Sequence, residues 1–173
     1  VYEIRIKGLL GSQYFANNPL IDIKQVKAMF NFDMVGRLNE QTKELSIGGT
    51  GTSLEWENIL NGYQQKTDLK FAYSKEGFGP SDHASFYSLN IPVMFFMTGI
   101  HDDYHTPKDD VQFINTKGQE EVSLLGAQII VQIVNQNINL TFQEAGPKSR
   151  SDGRNGMKVK LGIMPGFASS ENN

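Results

Sequence analysis

The dozen residues Gly99-Ile-His-Asp-Asp-Tyr-His-Thr-Pro-Lys-Asp-Asp110 hold two His, four Asp and one Tyr, directly after the apolar run Ile91 to Met97. With no Cys in the chain, imidazoles and carboxylates are the side chains left to bind a metal. An apolar strand that empties into a His/Asp loop is how α/β enzymes set ligands at a sheet's carboxyl edge. A matching signal lies in Phe30-Asn-Phe-Asp-Met-Val-Gly36, where Asp33 again follows an apolar stretch. Gly99 and Pro107 make the interval from His101 to His105 a loop rather than an i, i+4 pair on a helix. A strand-end Asp is also a common turn former. Spacing alone therefore leaves a metal site and a solvated loop both open.

These loops need elements to carry them. Tyr2, Ile4 and Ile6 predict a strand over Val1 to Ile6, and Gly8 to Asn17 reads as a short helix ended by Asn17-Asn-Pro19. Val26 to Phe32 is a mostly apolar strand suited to burial on both faces. Leu45 to Ile47 leads into a Gly-rich turn, and Thr52 with Glu55 forms a capping-box pattern opening a helix to about Gln65. That turn, Gly48 to Ser53, lacks the Lys of a phosphate-binding loop and reads as strand-to-helix turn chemistry. Leu69 to Tyr73 and Ile91 to Met97 are further strands, with a helix from Ser81 between them. The last helix runs from about Lys117 to Asn137, with Thr116-x-x-Gln119 as its capping box. Alternation of this kind predicts an α/β fold, three layers with a mostly parallel central sheet covered on both faces.

The remaining composition bounds the function. The chain of 173 residues suits one ordinary domain, expected over 1–142. Residues 143–156 read as a linker, and Met157 to Met164 alternate as a half-buried strand or tail does. A net charge of -3 argues against nucleic acid as a partner. No apolar stretch reaches the roughly 18 to 20 residues that cross a bilayer, and no signal peptide is visible. The chain opens on Val1, as expected of a processed or excised piece.

Four stretches, in order, resemble the zinc-dependent aminopeptidase family of aminopeptidase S and aminopeptidase Y. They are Gly8-Leu-Leu-Gly-Ser-Gln-Tyr-Phe15, Asn31-Phe-Asp-Met-Val-Gly36, Gly79-Pro-Ser-Asp-His-Ala-Ser-Phe86 and Asp103-Tyr-His-Thr-Pro-Lys-Asp109. Relatives of that family include glutamate carboxypeptidase, glutaminyl cyclase and the catalytically silent transferrin receptor. The resemblance implies a zinc exopeptidase fold, a secreted or periplasmic setting, and a peptide substrate with a free amino terminus. It also implies that 157–164 resembles the first strand of a PDZ domain.

In the family, two zinc ions share a bridging carboxylate and activate a water. Carried over residue by residue, Asp33 is a terminal ligand of one zinc and His105 the imidazole ligand of the other. Tyr104 steadies the developing oxyanion, a task suited to a neutral phenol donor. Asp82 orients the site beside His83, although Ser81 or Asp82 could equally cap a helix there. Asp109 hydrogen-bonds the ligand loop, as outer carboxylates do. His101, Asp102 and Asp103 are weaker candidates for a substrate-facing rim, and read more readily as a solvated loop.

The pattern breaks at the amino terminus. The family's Glu-Glu pair, general base and zinc ligand, falls on Arg5 and Ile6. Ile binds no zinc, and Arg is no base at ordinary pH. Glu3 lies two residues early, roughly 7 Å along a strand. The first His-x-Asp segment and the bridging Asp would lie upstream of Val1, so the catalytic domain is expected to be incomplete at its amino terminus. Each zinc would keep one terminal ligand, and zinc would be poorly bound. The expectation is thus a zinc metallo-aminopeptidase of which this chain alone is inactive. The alternatives are a non-catalytic binding module of the same fold, and a glutaminyl cyclase or carboxypeptidase relative. Tyr104 disfavours the cyclase, which carries Trp in the matching motif.

Overall fold

A computed structural model describes residues 9–149; the expected strand over Val1 to Ile6, Arg5 and Ile6 themselves, and the segment 157–173 lie outside them. The order of elements is α1 (Leu10–Asn17), β1 (Met29–Phe32), β2 (Glu44–Gly48), α2 (Trp56–Gln64), β3 (Lys70–Tyr73), α3 (His83–Tyr87), β4 (Val93–Met97) and α4 (Thr116–Asn135). The strands form one sheet in the order β1-β4-β2-β3. β1 runs parallel to β4 and β2 parallel to β3, while β2 and β4 are antiparallel. The sheet is therefore mixed but mostly parallel.

Alternation along the strands divides the side chains between two helical layers. Leu45, Ile47, Met94 and Phe96 join Trp56, Ile59 and Leu60 of α2 and Val122, Leu125 and Ile129 of α4 in one core. Phe30 meets Trp56 edge-on at 5.8 Å, and Phe32 stacks on Phe96 at 4.8 Å, which seats β1 on this face. The opposite face is closed by α3, whose His83 stacks on Phe95. α1 lies over α3 through Phe15 against Phe86 and Ser12 bonded to Ser85. The expected three layers are present.

Several expectations need correction. The strand expected from Val26 starts at Met29, because Asp22 caps a 3-10 turn over Ile23–Gln25 by accepting from the Lys24 amide. β1 stands at an edge of the described sheet and is not buried on both faces; Phe32 is exposed. α4 is capped by Asn115, not Thr116: its carboxamide accepts from the Gly118 amide at 2.9 Å and donates to the Leu38 carbonyl at 2.8 Å.

Thr52 and Glu55 form no capping box. Thr52 is fully buried, and its hydroxyl accepts from the Val93 amide at 3.0 Å and the Trp56 indole at 3.2 Å. Glu55 turns instead to Thr141, accepting from its amide at 2.8 Å and its hydroxyl at 2.9 Å. The Gly-rich turn is structural: Gly49 has φ +77°, and a Cβ there would meet the Val93 carbonyl at 2.5 Å. Beyond α4 the chain runs back over the domain, where Ala145 donates to the Tyr87 hydroxyl and that hydroxyl donates to the Gly146 carbonyl. Residues 143–149, at the start of the expected linker, thus lie anchored on the α/β unit.

Candidate active site

β1 and β4 are neighbouring parallel strands, so their carboxyl ends emerge side by side. Asp33 leaves β1 with its amide still bonded to the Phe96 carbonyl at 3.2 Å. The next residue, Met34, has φ +57°, a left-handed conformation costing about 1–2 kcal/mol for a residue with a Cβ. Thr98 at the end of β4 holds that turn, donating to the Met34 carbonyl from its hydroxyl at 2.6 Å and its amide at 3.1 Å. His105 on the β4 loop is likewise left-handed, with φ +57°. Strained backbone thus occurs at or beside both residues expected to bind metal.

Asp33, Asp82, Tyr104 and His105 line a single open cavity of about 790 Å³, with Gly79, Pro80 and Ser81 in its wall and Lys148 at its edge. Tyr104 and His105 stack at 3.8 Å between ring centroids. The hydrogen bond that orients Asp33 comes from Ser81, not Asp82: Ser81 Oγ donates to Asp33 Oδ2 at 2.7 Å. Ser81 in turn accepts from Asn31 Nδ2 at 2.8 Å. Asp82 makes no capping bond to α3 and lies exposed. His83 faces away from solvent, 2% exposed, with Nδ1 3.3 Å from Asn31 Nδ2. Burial pushes its imidazole down to about 4, against the opposing pull of the Asp33 and Asp82 charges.

The Asp109 carboxylate, expected to hydrogen-bond the loop that carries His105, bonds instead to Arg37 on the segment after β1. Arg37 donates to Asp109 Oδ1 at 2.6 Å and to Asp103 Oδ2 at 3.1 Å, and lies 4.8 Å over the Phe113 ring. Asp103 is therefore an ion-pair partner and not a solvated rim residue. His101 Nε2 approaches Asp109 Oδ2 at 3.8 Å, while its buried Nδ1 has no partner among the described residues. Asp102 is exposed, as a rim residue is. Ser81, Asn31 and Arg37 were the missed members. Each sits within four residues of Asp33 or beside Asp82, and only the fold brings their partners close.

Carboxylate and imidazole are donors that zinc accepts, so Asp33 and His105 fit the metal in kind. Among the described residues no three His, Asp or Glu side chains gather to hold an ion. Asp33 and His105 alone would make only part of a zinc donor set. Among the same residues, no helix is long and apolar enough to cross a membrane.

Residues 7–130 match peptidase family M28. The aminopeptidase YwaD of Bacillus subtilis (strain 168) is 26% identical over 136 residues, which cover 73% of this chain and 30% of that protein. Leupeptin-inactivating enzyme 1 of Streptomyces exfoliatus is 31% identical over 105 residues, 53% of this chain and 20% of that protein. Among solved structures, the zinc aminopeptidase BSAP from Bacillus subtilis superposes with a TM-score of 0.61 at 26% identity, covering 72% of this chain and 32% of that one. The chain spans about a third or less of the length of each. A match over residues 7–130, together with the likeness of fold to a solved zinc aminopeptidase, gives the assignment: the chain belongs to peptidase family M28.

Proposed function

We propose that this chain carries part of the catalytic domain of a metallo-aminopeptidase, which removes amino-terminal residues from peptides through a two-zinc site. The observation that carries this reading is the convergence of Asp33 and His105, from adjacent parallel strands, on one cavity with Tyr104 and Asp82. Relatives described as aminopeptidases support it. A secreted or periplasmic setting belongs to the same reading.

Asp33 and His105 would each hold a different ion. When bound, the zinc pair polarises the scissile carbonyl and supplies hydroxide near neutral pH. Tyr104 donates its phenol proton to the oxyanion that develops on the substrate carbonyl, as a pre-oriented neutral donor. Ser81 fixes the rotamer of Asp33 by donating to Oδ2, and Asn31 fixes Ser81. Asp82 would bring a second carboxylate to the cavity wall. His83, neutral near pH 7, backs the site without adding charge. Asp109 holds the loop that bears His105. A substrate with a free α-amine beside the metals accounts for cleavage from the amino end.

Arg5 and Ile6 occupy the positions of the general base, worth about 10²–10⁴-fold, and of a ligand. This chain by itself is therefore proposed to hold zinc weakly and to be inactive, with the remaining donors supplied by other parts of the protein. The same two residues favour a second reading, a non-catalytic binding module of this fold. Two measurements separate them. Elemental analysis of this chain, purified without chelator, is expected to give less than about 0.2 zinc per chain; close to two would overturn the partial-site reading. The longer protein is expected to cleave free-amine peptides and leave amine-blocked ones intact, whereas no hydrolysis of either would favour the binding module.

A further inference from the structure

Among the described residues, every backbone–backbone hydrogen bond made by residues 101–109 stays within the loop: Tyr104 to His101, Thr106 to Asp103 and Asp109 to Thr106. These bonds shape the turn but do not dock it. Among the described residues, each side-chain hydrogen bond from this loop to another part of the chain ends on Arg37. The two carboxylates it binds bracket Tyr104 and His105. Arg37 lies four residues beyond Asp33, on the segment leaving β1. One guanidinium thus spans the two loops that carry Asp33, Tyr104 and His105.

We infer that Arg37 is a positioning residue, which locks the left-handed Tyr104–His105 turn against the segment that bears Asp33. The inference takes Tyr104 and His105 in the roles proposed above. The planar fork lets one side chain hold two carboxylates in fixed directions, which a lysine ammonium, a point charge on a flexible stem, does not reproduce. The Phe113 ring below it removes one direction of escape. An isolated surface ion pair contributes little. Here three partners converge on a side chain only 20% exposed, and the result is orientation more than stability.

The test uses the full-length protein, wild type against Arg37→Met and Arg37→Lys, with Asp103→Asn as an approach from the other side. In the zinc-free state, hydrogen exchange at the Tyr104, His105 and Thr106 amides is expected to rise about tenfold in Arg37→Met while α4 keeps its protection. Zinc affinity and kcat are each expected to fall about tenfold or more, with KM within about threefold and no recovery in Arg37→Lys. Asp103→Asn is expected to show a smaller change in the same sense. Wild-type exchange, zinc affinity and kcat in all three variants would overturn the inference. A wild-type protein that binds no zinc and cleaves nothing would instead refute the proposed function. The exchange measurement, made without zinc, would still decide the role of Arg37.

Discussion

Ser81 Oγ lies 2.7 Å from Asp33 Oδ2 and 2.8 Å from Asn31 Nδ2, so one hydroxyl links a buried amide to a carboxylate that opens on the cavity. The hydroxyl proton goes to Asp33 and a lone pair receives the Asn31 amide. The relay runs inward along one strand face, from Asp33 to Asn31, and ends at His83 beneath Phe95.

Ser81→Ala breaks both bonds and leaves the Asn31 amide, in a residue 8% exposed, without its acceptor. An unsatisfied buried donor costs about 1–3 kcal/mol, which urea unfolding should register. If Asp33 binds zinc, affinity in the full-length protein should fall by about 10–100-fold, read by competition with a chromogenic chelator. Ser81→Thr keeps the hydroxyl and should recover most of both.

The buried imidazole of His83 makes stability depend on pH in a stated direction. In the unfolded chain it takes a proton below its ordinary value of 6.5; in the fold burial holds it neutral down to about 4. The unfolded state thus binds more protons between those values, and stability falls as pH drops through that window. The loss is on the order of 2–3 kcal/mol. Unfolding at pH 7, 5.5 and 4 should show a shallower slope for His83→Asn than for wild type. Equal slopes would remove His83 as the cause.

Glu55 should act in the same direction as His83, but at lower pH. Burial raises its carboxyl, but hydrogen bonds from Ser53 and Thr141 outweigh this and leave it below its ordinary 4.5. Its contribution is therefore present above that value and is lost as pH falls through the lower folded one. Glu55→Ala removes the acceptor for the Thr141 amide and hydroxyl, with an expected loss of about 1–2 kcal/mol. Limited proteolysis should then cut between Leu140 and Lys148 faster than in wild type.

What was legible in the sequence was local. The apolar run to Met97, the helix ending at Asn17 and the strand ending at Phe32 follow from periodicity within a few residues. That Asp33 and His105 each follow an apolar run is legible too, but their meeting on one cavity depends on β1 pairing with β4. The roles of Ser81 and Arg37 were not legible, because their partners lie 48, 66 and 72 residues away and depend on β1 pairing with β4. The capping patterns misled for a related reason. Glu55 found a better partner in Thr141, and Asn115 displaced Thr116 because its carboxamide satisfies both a helix amide and the Leu38 carbonyl. The antiparallel pairing of β2 with β4 left no mark in the strand composition.

Thr52 offers the sharpest test of how the scaffold holds β4, and hence the loop it delivers. Its buried hydroxyl accepts from the Val93 amide, at the first residue of β4, and from the Trp56 indole, at the first turn of α2. Its own proton goes to the Gly49 carbonyl at 2.6 Å. Thr52→Val keeps shape and volume but strands two donors in a site that water does not reach. At about 1–3 kcal/mol for each, the loss is about 2–6 kcal/mol, a large share of a single domain's stability. Trp56 is the chain's only Trp, so its fluorescence reports the broken bond directly. Thr52→Ser keeps the hydroxyl and loses one methyl, worth about 1 kcal/mol. A Val variant as stable as the Ser variant would mean that the hydroxyl does not hold the start of β4.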